Sequence, residues 1–148
     1  MQTDARRLVA IGRAADDGRM VRLAPGAARA WARMRSAAAG EGVQLLALSG
    51  HRSIARQAAI FRRKLAQGEK LATILRYVAA PGCSEHHTGR AVDLGSPGSE
   101  WLDVRFGQTR EYRWLRRHAS RFGFSLSYPK RAKTGIGYEP WHWCWRAK

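Results

Sequence analysis

The 148 residues, 45% of them hydrophobic, are enough to bury one core and too few for two ordinary domains, so a single domain over 1–148 is expected. No apolar run approaches the roughly 20 residues needed to cross a bilayer. The opening Met1-Gln2-Thr3-Asp4-Ala5-Arg6-Arg7 also lacks the apolar stretch of a secretory signal, so a soluble protein with no leader in this chain is expected. The 27 Lys and Arg against 11 Asp and Glu give +16 spread along the chain, which attracts nucleic acid, anionic lipid and acidic envelope polymers without choosing among them. Two cysteines, Cys83 and Cys144, are too few for a disulfide-built scaffold.

In chain order, Thr3 to Ala15 is predicted as a short peripheral helix, interrupted by Gly12 and ended by Asp16-Asp17-Gly18. After Pro25-Gly26, Ala27, Trp31, Met34 and Ala38 recur at helical spacing until Gly40 and Gly42, which predicts a core-packing helix. Val43 to Leu48 reads as a buried strand. Ser53 then caps a helix with the face Ile54, Ala58, Phe61 and Leu65, and a further helix carries Leu71, Ile74, Leu75 and Val78 before Pro81-Gly82. Ala91 to Leu94 is a predicted strand, followed by a loop at 95–98. Thr109 caps a helix through Tyr112, Leu115, Ala119 and Phe122, which Gly123 stops. Two strands, Phe124 to Ser127 and Tyr138 to Arg146, flank a basic loop from Tyr128 to Gly137. Helices and strands mix without regular alternation, so the expected class is α+β with a small, mainly antiparallel sheet flanked by helices.

Two stretches carry chemistry. If Glu139-Pro140-Trp141-His142-Trp143-Cys144-Trp145 is extended, the three tryptophans share one face and make a core surface, and His142 points the opposite way. Pro140 biases Glu139 toward extended backbone and so helps fix where its carboxylate points. Ser84-Glu85-His86-His87-Thr88-Gly89-Arg90-Ala91-Val92-Asp93 gathers hydroxyl, carboxylate and imidazole groups just before an apolar strand. Two neutral imidazoles and a carboxylate make a three-ligand set for zinc that leaves a fourth position for water, the composition of a catalytic site.

Ser84 to Asp93 fits Ser-x-His-x-x-Gly-x-Ala-x-Asp at every fixed position, and Glu139-x-x-His142 follows it. With Ser49-Gly50-His51-Arg52-Ser53 and Gln57 upstream, the chain resembles the VanY-like D-alanyl-D-alanine carboxypeptidases, with a motif-bearing core at about 43–148. The resemblance implies a hedgehog/DD-peptidase type of fold, zinc ligation by His86, Asp93 and His142, and Glu139 as the base toward a metal-activated water. It further implies that Arg52 polarises the scissile carbonyl or steadies the oxyanion, and that Gln57 and Ser84 help seat the substrate's terminal peptide. The His-x-His pair of the related lysostaphin-like peptidases is absent from Trp141-His142-Trp143. His51 stands where a tyrosine is common in the family, which leaves substrate preference open.

The resemblance therefore implies a monomeric zinc peptidase acting on peptidoglycan stem peptides or their precursors, at the cell wall or periplasm, most simply releasing a terminal D-alanine. A phage-type lytic endopeptidase, held in the cytoplasm until release, would share the same metal site. A module that binds peptidoglycan without cutting it is a further alternative, against which Glu139 argues. A nucleic-acid binder is argued only by charge, because Arg110, Arg113, Arg116, Arg117 and Arg121 spread around more than one helix face. His87 is expected beside the site without a ligand role and His118 on a solvated basic face. Cys83, His86, His142 and Cys144 could instead form a closed structural zinc site, but that would leave Asp93 and Glu139 unused, and two small buried thiols are expected.

Overall fold

The computed structural model describes residues 1–131 and 135–146. Its centre is a four-stranded antiparallel sheet in the order β3 (Leu46–Ser49), β4 (Ala91–Gly95), β6 (His142–Trp145), β5 (Phe124–Leu126). Every residue of β4 is buried, as befits a central strand. Val92 and Leu94 from β4 and Trp143 from β6 join the hydrophobic core, whereas Asp93 and its cross-strand partner His142 project to the opposite face. That alternation brings two polar side chains together above an apolar layer.

Helix α1 (Pro25–Gly40) closes the core with Ala27, Trp31, Met34 and Ala38, the predicted face, and its first turn carries Pro25, whose missing N–H costs nothing there. Helix α4 (Arg110–His118) starts at Thr109, whose hydroxyl accepts from Tyr112 N. It passes into a 3-10 turn (Ala119–Phe122) that ends at Gly123 in the left-handed conformation. Trp114, Leu115 and Ala119 are buried beneath it. His118 is half-buried against the Trp114 ring, with 4.8 Å between centroids. Helix α2 (Ile54–Ala66) is capped by Ser53 as expected, but it buries Gln57 and Phe61 and leaves Leu65 exposed, so its inner face is turned toward the polar side of the sheet. Helix α3 (Leu71–Leu75) is a single short turn with only Ile74 buried, and residues beyond it wind irregularly to the cleft.

Three expectations are corrected. The segment 3–15 is not a helix: β1 (Val9–Arg13) pairs antiparallel with β2 (Met20–Leu23), and Asp16-Asp17-Gly18 forms the hairpin turn, with Arg19 N donating to Asp17. Gly12, at φ +122°, sits at a bulge in that hairpin, a role open to glycine and unfavourable for a helix. Val43 and Leu45 are buried, but pairing begins only at Leu46. The third concerns 138–146, where only His142–Trp145 is strand: His142 N donates to Glu139 O, so Glu139 to His142 is a turn. Trp143 is buried and Trp141 and Trp145 pack on the core margin. Residues 132–134 of the predicted basic loop lie outside the described residues. No helix among those described is long and apolar enough to cross a membrane.

The hairpin also positions the site. Arg22 O accepts from His51 N, and a side chain at Gly50 would collide with that same carbonyl, so β2 presses directly on the loop that presents Arg52. Gly89, at φ +65°, ends the 3-10 turn Glu85–Thr88 and accepts from Ala24 N, which ties the motif turn to the start of α1.

Candidate metal centre and substrate cleft

Four local structures converge on the polar side of the sheet: the 3-10 turn with His86, strand β4 with Asp93, the Glu139–His142 turn, and the Gly50–Arg52 loop. Among the described residues, His86, Asp93 and His142 form a group whose donor atoms lie within 4.8 Å of one another, each residue no more than 4% exposed. His86 Nε2 is 3.3 Å from Asp93 Oδ2 and His142 Nδ1 is 3.1 Å from Asp93 Oδ1. The two rings meet edge to face with 4.9 Å between centroids.

The far side of each ring settles which nitrogen faces inward. A carbonyl can only accept, so the 2.7 Å contact to Gly50 O places a proton on His86 Nδ1 and leaves the Nε2 lone pair aimed at Asp93. On His142, Nε2–H donates to Glu85 Oε2 at 3.0 Å and Nδ1 faces Asp93. Two inward-facing nitrogens and a carboxylate thus share one small space and need a cation between them. On His142 a proton can serve: burial opposes its charge, but the bonds to Asp93 and Glu85 raise it to about 9. Asp93, despite burial, is held well below the usual carboxylate range by the two histidines. Burial pushes His86 down, against the opposing pull of Asp93, which favours the neutral form that can offer its lone pair to a metal ion. The donor set fits zinc, with one side open.

Glu139 stands at the edge of this set, its Oε2 3.9 Å from His142 Nδ1. Burial, joined by the Asp93 charge and only partly offset by His142 and Arg52, raises its carboxyl to about 7. Arg52 is half-buried, and burial lowers it from its ordinary value, although a guanidinium stays charged in proteins. It donates to Gln57 Oε1 at 2.9 Å, while Gln57 Nε2 donates to Ala79 O. Both ends of the Gln57 amide are engaged. Ser84 caps the 3-10 turn, accepting from His86 N.

These residues line a cleft of about 320 Å³ whose other walls include Tyr77, Leu102, Tyr128 and Trp141. A larger groove, about 580 Å³, lies between β1 and α1; apart from Arg29, Arg35 and Ser36 its walls are small or apolar. The smaller cleft is the one with convergent polar groups, so chemistry belongs there.

Sequence reasoning missed Glu85, Ser127 and Tyr128, whereas His87 was expected beside the site without a ligand role. Glu85 is held by Ser127 Oγ at 2.6 Å and Arg146 at 3.3 Å; burial works against its charge, but the bonds from His142 and Ser127 bring it down to about 2. Tyr128 lays its ring 4.9 Å from that of His142. His87 is fully buried, donating from Nδ1 to Arg52 O at 2.6 Å and accepting at Nε2 from Gly82 N, which makes it a clamp on the Arg52 backbone. Glu85 falls on the variable position of Ser-x-His, so the motif carried no signal for it. His51 turns toward Asp4, 3.6 Å away. The closed Cys-His scheme is not what the fold assembles: among the described residues the convergent donors include neither thiol. Both cysteines are free, Cys144 buried as expected and Cys83 exposed, contrary to expectation.

A buried His-Asp-His set, open on one side with a carboxyl of raised pKa beside it, is the arrangement of a metal-dependent hydrolase. The comparisons agree with that class. Residues 20–148 match the family model described as VanY, D-alanyl-D-alanine carboxypeptidase, and the chain belongs to that family. It is 42% identical over 120 residues to the putative carboxypeptidase YodJ of Bacillus subtilis (strain 168), covering 78% of this chain and 43% of that protein. The chain thus spans about two-fifths of the length of the curated relatives it matches first. Its fold is similar to that of the LdcB LD-carboxypeptidase, with a TM-score of 0.86 and 33% identity over 96% of this chain and 69% of that one. It is also similar to a vancomycin resistance D,D-pentapeptidase VanY in complex with Zn(II), with a TM-score of 0.70 and 27% identity over 98% of this chain and 86% of that one.

Proposed function

We propose that the protein is a zinc-dependent peptidase that releases the terminal D-alanine from peptidoglycan stem peptides ending in D-Ala-D-Ala. The observation that carries this reading is the inward-facing set of His86 Nε2, Asp93 and His142 Nδ1 beside the Glu139 carboxyl. Those three residues would hold the metal. A bound zinc ion supplies Lewis acidity, which makes water acidic near neutral pH and polarises a carbonyl.

The protein's own groups do the rest. Glu139, with a pKa near the working pH, takes a proton from the attacking water and returns it to the departing amine as the C–N bond breaks and the C–O bond forms. Arg52 directs its guanidinium at the negative charge that grows on the carbonyl oxygen, or at the substrate's terminal carboxylate. Gln57 acts on the substrate through Arg52, which it holds, and Ser84 offers its hydroxyl to the seated peptide. Tyr128 and Trp141 wall the cleft and exclude water. The +16 charge concentrates the protein on anionic envelope polymers, with retention that falls as salt rises.

The test is mass spectrometry of a muropeptide pentapeptide ending in D-Ala-D-Ala, and of the matching tetrapeptide, after incubation with zinc-loaded protein, a chelated control and Glu139→Gln. Loss of one alanine from the pentapeptide, only in the zinc-loaded parent, is expected. Loss of alanine from the tetrapeptide alone would move the assignment to L,D-cleavage, the reading favoured by the likeness to LdcB. An internal cut would make the protein a lytic endopeptidase, and no cut of any stem peptide would sink the reading.

A further inference from the structure

We propose that Glu85 is a positioning residue for the metal centre: its carboxylate fixes His142 in the tautomer and orientation that present Nδ1 to the ion. The inference rests on the reading of His86, Asp93 and His142 as the ligand set.

The two imidazoles are oriented by different means. His86 gives its outer proton to a backbone carbonyl, Gly50 O, and so turns Nε2 inward. His142 is reversed: Nδ1 is inward and Nε2 outward, and the acceptor that meets Nε2–H is the Glu85 side chain at 3.0 Å. A ligand histidine whose outer N–H is held by a carboxylate is both fixed in rotation and made a stronger donor. Glu85 is itself aimed. Ser127, just beyond β5, donates to the same Oε2 at 2.6 Å, and Arg146, just beyond β6, approaches Oε1 at 3.3 Å. Its side chain is 16% exposed, against 65% for Arg146, so the Ser127 and His142 contacts set its position and the arginine adds a screened attraction.

The placement has a consequence for the motif turn. Glu85 and His86 are adjacent, so one 3-10 turn delivers a ligand and, from the preceding residue, the partner that orients the ligand arriving from β6. The peptidase reaction does not require Glu85 to touch substrate, and it is not among the residues lining the cleft.

The test measures metal binding, not turnover. Zinc affinity is determined by competition with a chromophoric chelator, and the visible absorption of the cobalt(II)-loaded protein reports ligand geometry, for the parent, Glu85→Ala, Glu85→Gln and Ser127→Ala. Glu85→Ala is expected to bind zinc about 10- to 100-fold more weakly and to change the cobalt spectrum. Glu85→Gln, whose amide oxygen can accept from both Ser127 and His142, is expected to recover most of the affinity and the parental spectrum. Ser127→Ala is expected to lose a smaller factor, and it carries the comparison with Glu85→Gln if the alanine variant does not fold. Parental affinity and spectrum in Glu85→Ala, a glutamine variant as weak as the alanine one, or no loss in Ser127→Ala would overturn the proposal. A parent that binds zinc but cuts no stem peptide would sink the peptidase reading and leave this one standing.

Discussion

Replacing Glu139 by Gln should stabilise the protein while disabling it. In the unfolded chain this carboxyl ionises near its ordinary 4.5, whereas in the folded protein burial and the Asp93 charge raise it to about 7. Charging it is therefore about 3 kcal/mol harder in the folded state. The sign follows from proton counts. Between pH 4.5 and about 7 this carboxyl holds in the folded protein a proton that the unfolded chain has lost, so its own contribution to stability falls as pH rises through that window and is level beyond it. Glutamine has the same shape and never ionises. Asp93, His86 and His142 titrate in both proteins, so the difference between the two isolates Glu139 together with its coupling to Asp93, His142 and Arg52. The glutamine variant should be more stable by about 1 kcal/mol at pH 5 and about 3 kcal/mol at pH 8. Urea unfolding after chelation, with a slope of about 2 kcal/mol/M, should then show a midpoint gap that widens by about 1 M between the two pH values. The same variant, loaded with zinc, should lose about 10²- to 10⁴-fold in turnover. A gap equal at both pH values, or a less stable variant at pH 8, would refute the argument that burial holds Glu139 near neutrality.

Chelating the metal should abolish stem-peptide cleavage and lower the melting temperature. Zinc at about a hundred times its dissociation constant should restore about 2.7 kcal/mol, checked by calorimetry. Gly89→Ala places a Cβ 2.8 Å from Ala24 N at φ +65°, so it should cost at least about 1 kcal/mol and shift the His86 turn; an unchanged melting temperature would count against that. Arg52→Lys keeps the charge but loses the planar fork held by Gln57, and should lower kcat by about 10²- to 10³-fold with little change in stability. Equal kcat in the two proteins would remove Arg52 from the reaction.

The elements legible in the sequence were those whose signals are local. Proline and alanine spacing marked α1, Thr109 and Gly123 bounded α4 and its 3-10 extension, and a short apolar run marked β4. The hairpin β1–β2 was not legible, because the pairing that makes it a strand lies on the far side of a turn and its outer residues, such as Val9 and Met20, stay exposed. Without that pairing, Thr3 to Ala15 offers only weak helix-forming composition. The Glu139–His142 turn was read as strand for the related reason that Pro140 and alternating tryptophans favour extension, whereas the His142 N–Glu139 O bond and the Trp143 Nε1–Pro140 O bond close a turn. The difference matters for chemistry. A turn keeps residues three apart on one side, and so sets Glu139 beside His142.

The same division runs through the site. His86, Asp93 and His142 were legible as a group because the proposed ligand set draws on a short list of residue types with a fixed spelling, and the fold brings the three together. Their supports are dictated by what each happens to touch, so Glu85 and Ser127 carry no such spelling, and the spelling of Gly50 does not tell that its carbonyl holds His86. His86 and His87 make the point within a single dipeptide. Chemically identical and equally buried, they part because one ring meets Gly50 O and Asp93 and the other meets Arg52 O and Gly82 N. His87 then fixes the carbonyl of Arg52 while Arg52 N donates to His86 O, so the backbones of Arg52 and His86 are tied to each other. A substitution at His87 would therefore act on Arg52 and His86 together. This pairing follows from the tertiary fold alone, which is why the sequence could set His87 beside the site without a ligand role and yet not show that it braces Arg52.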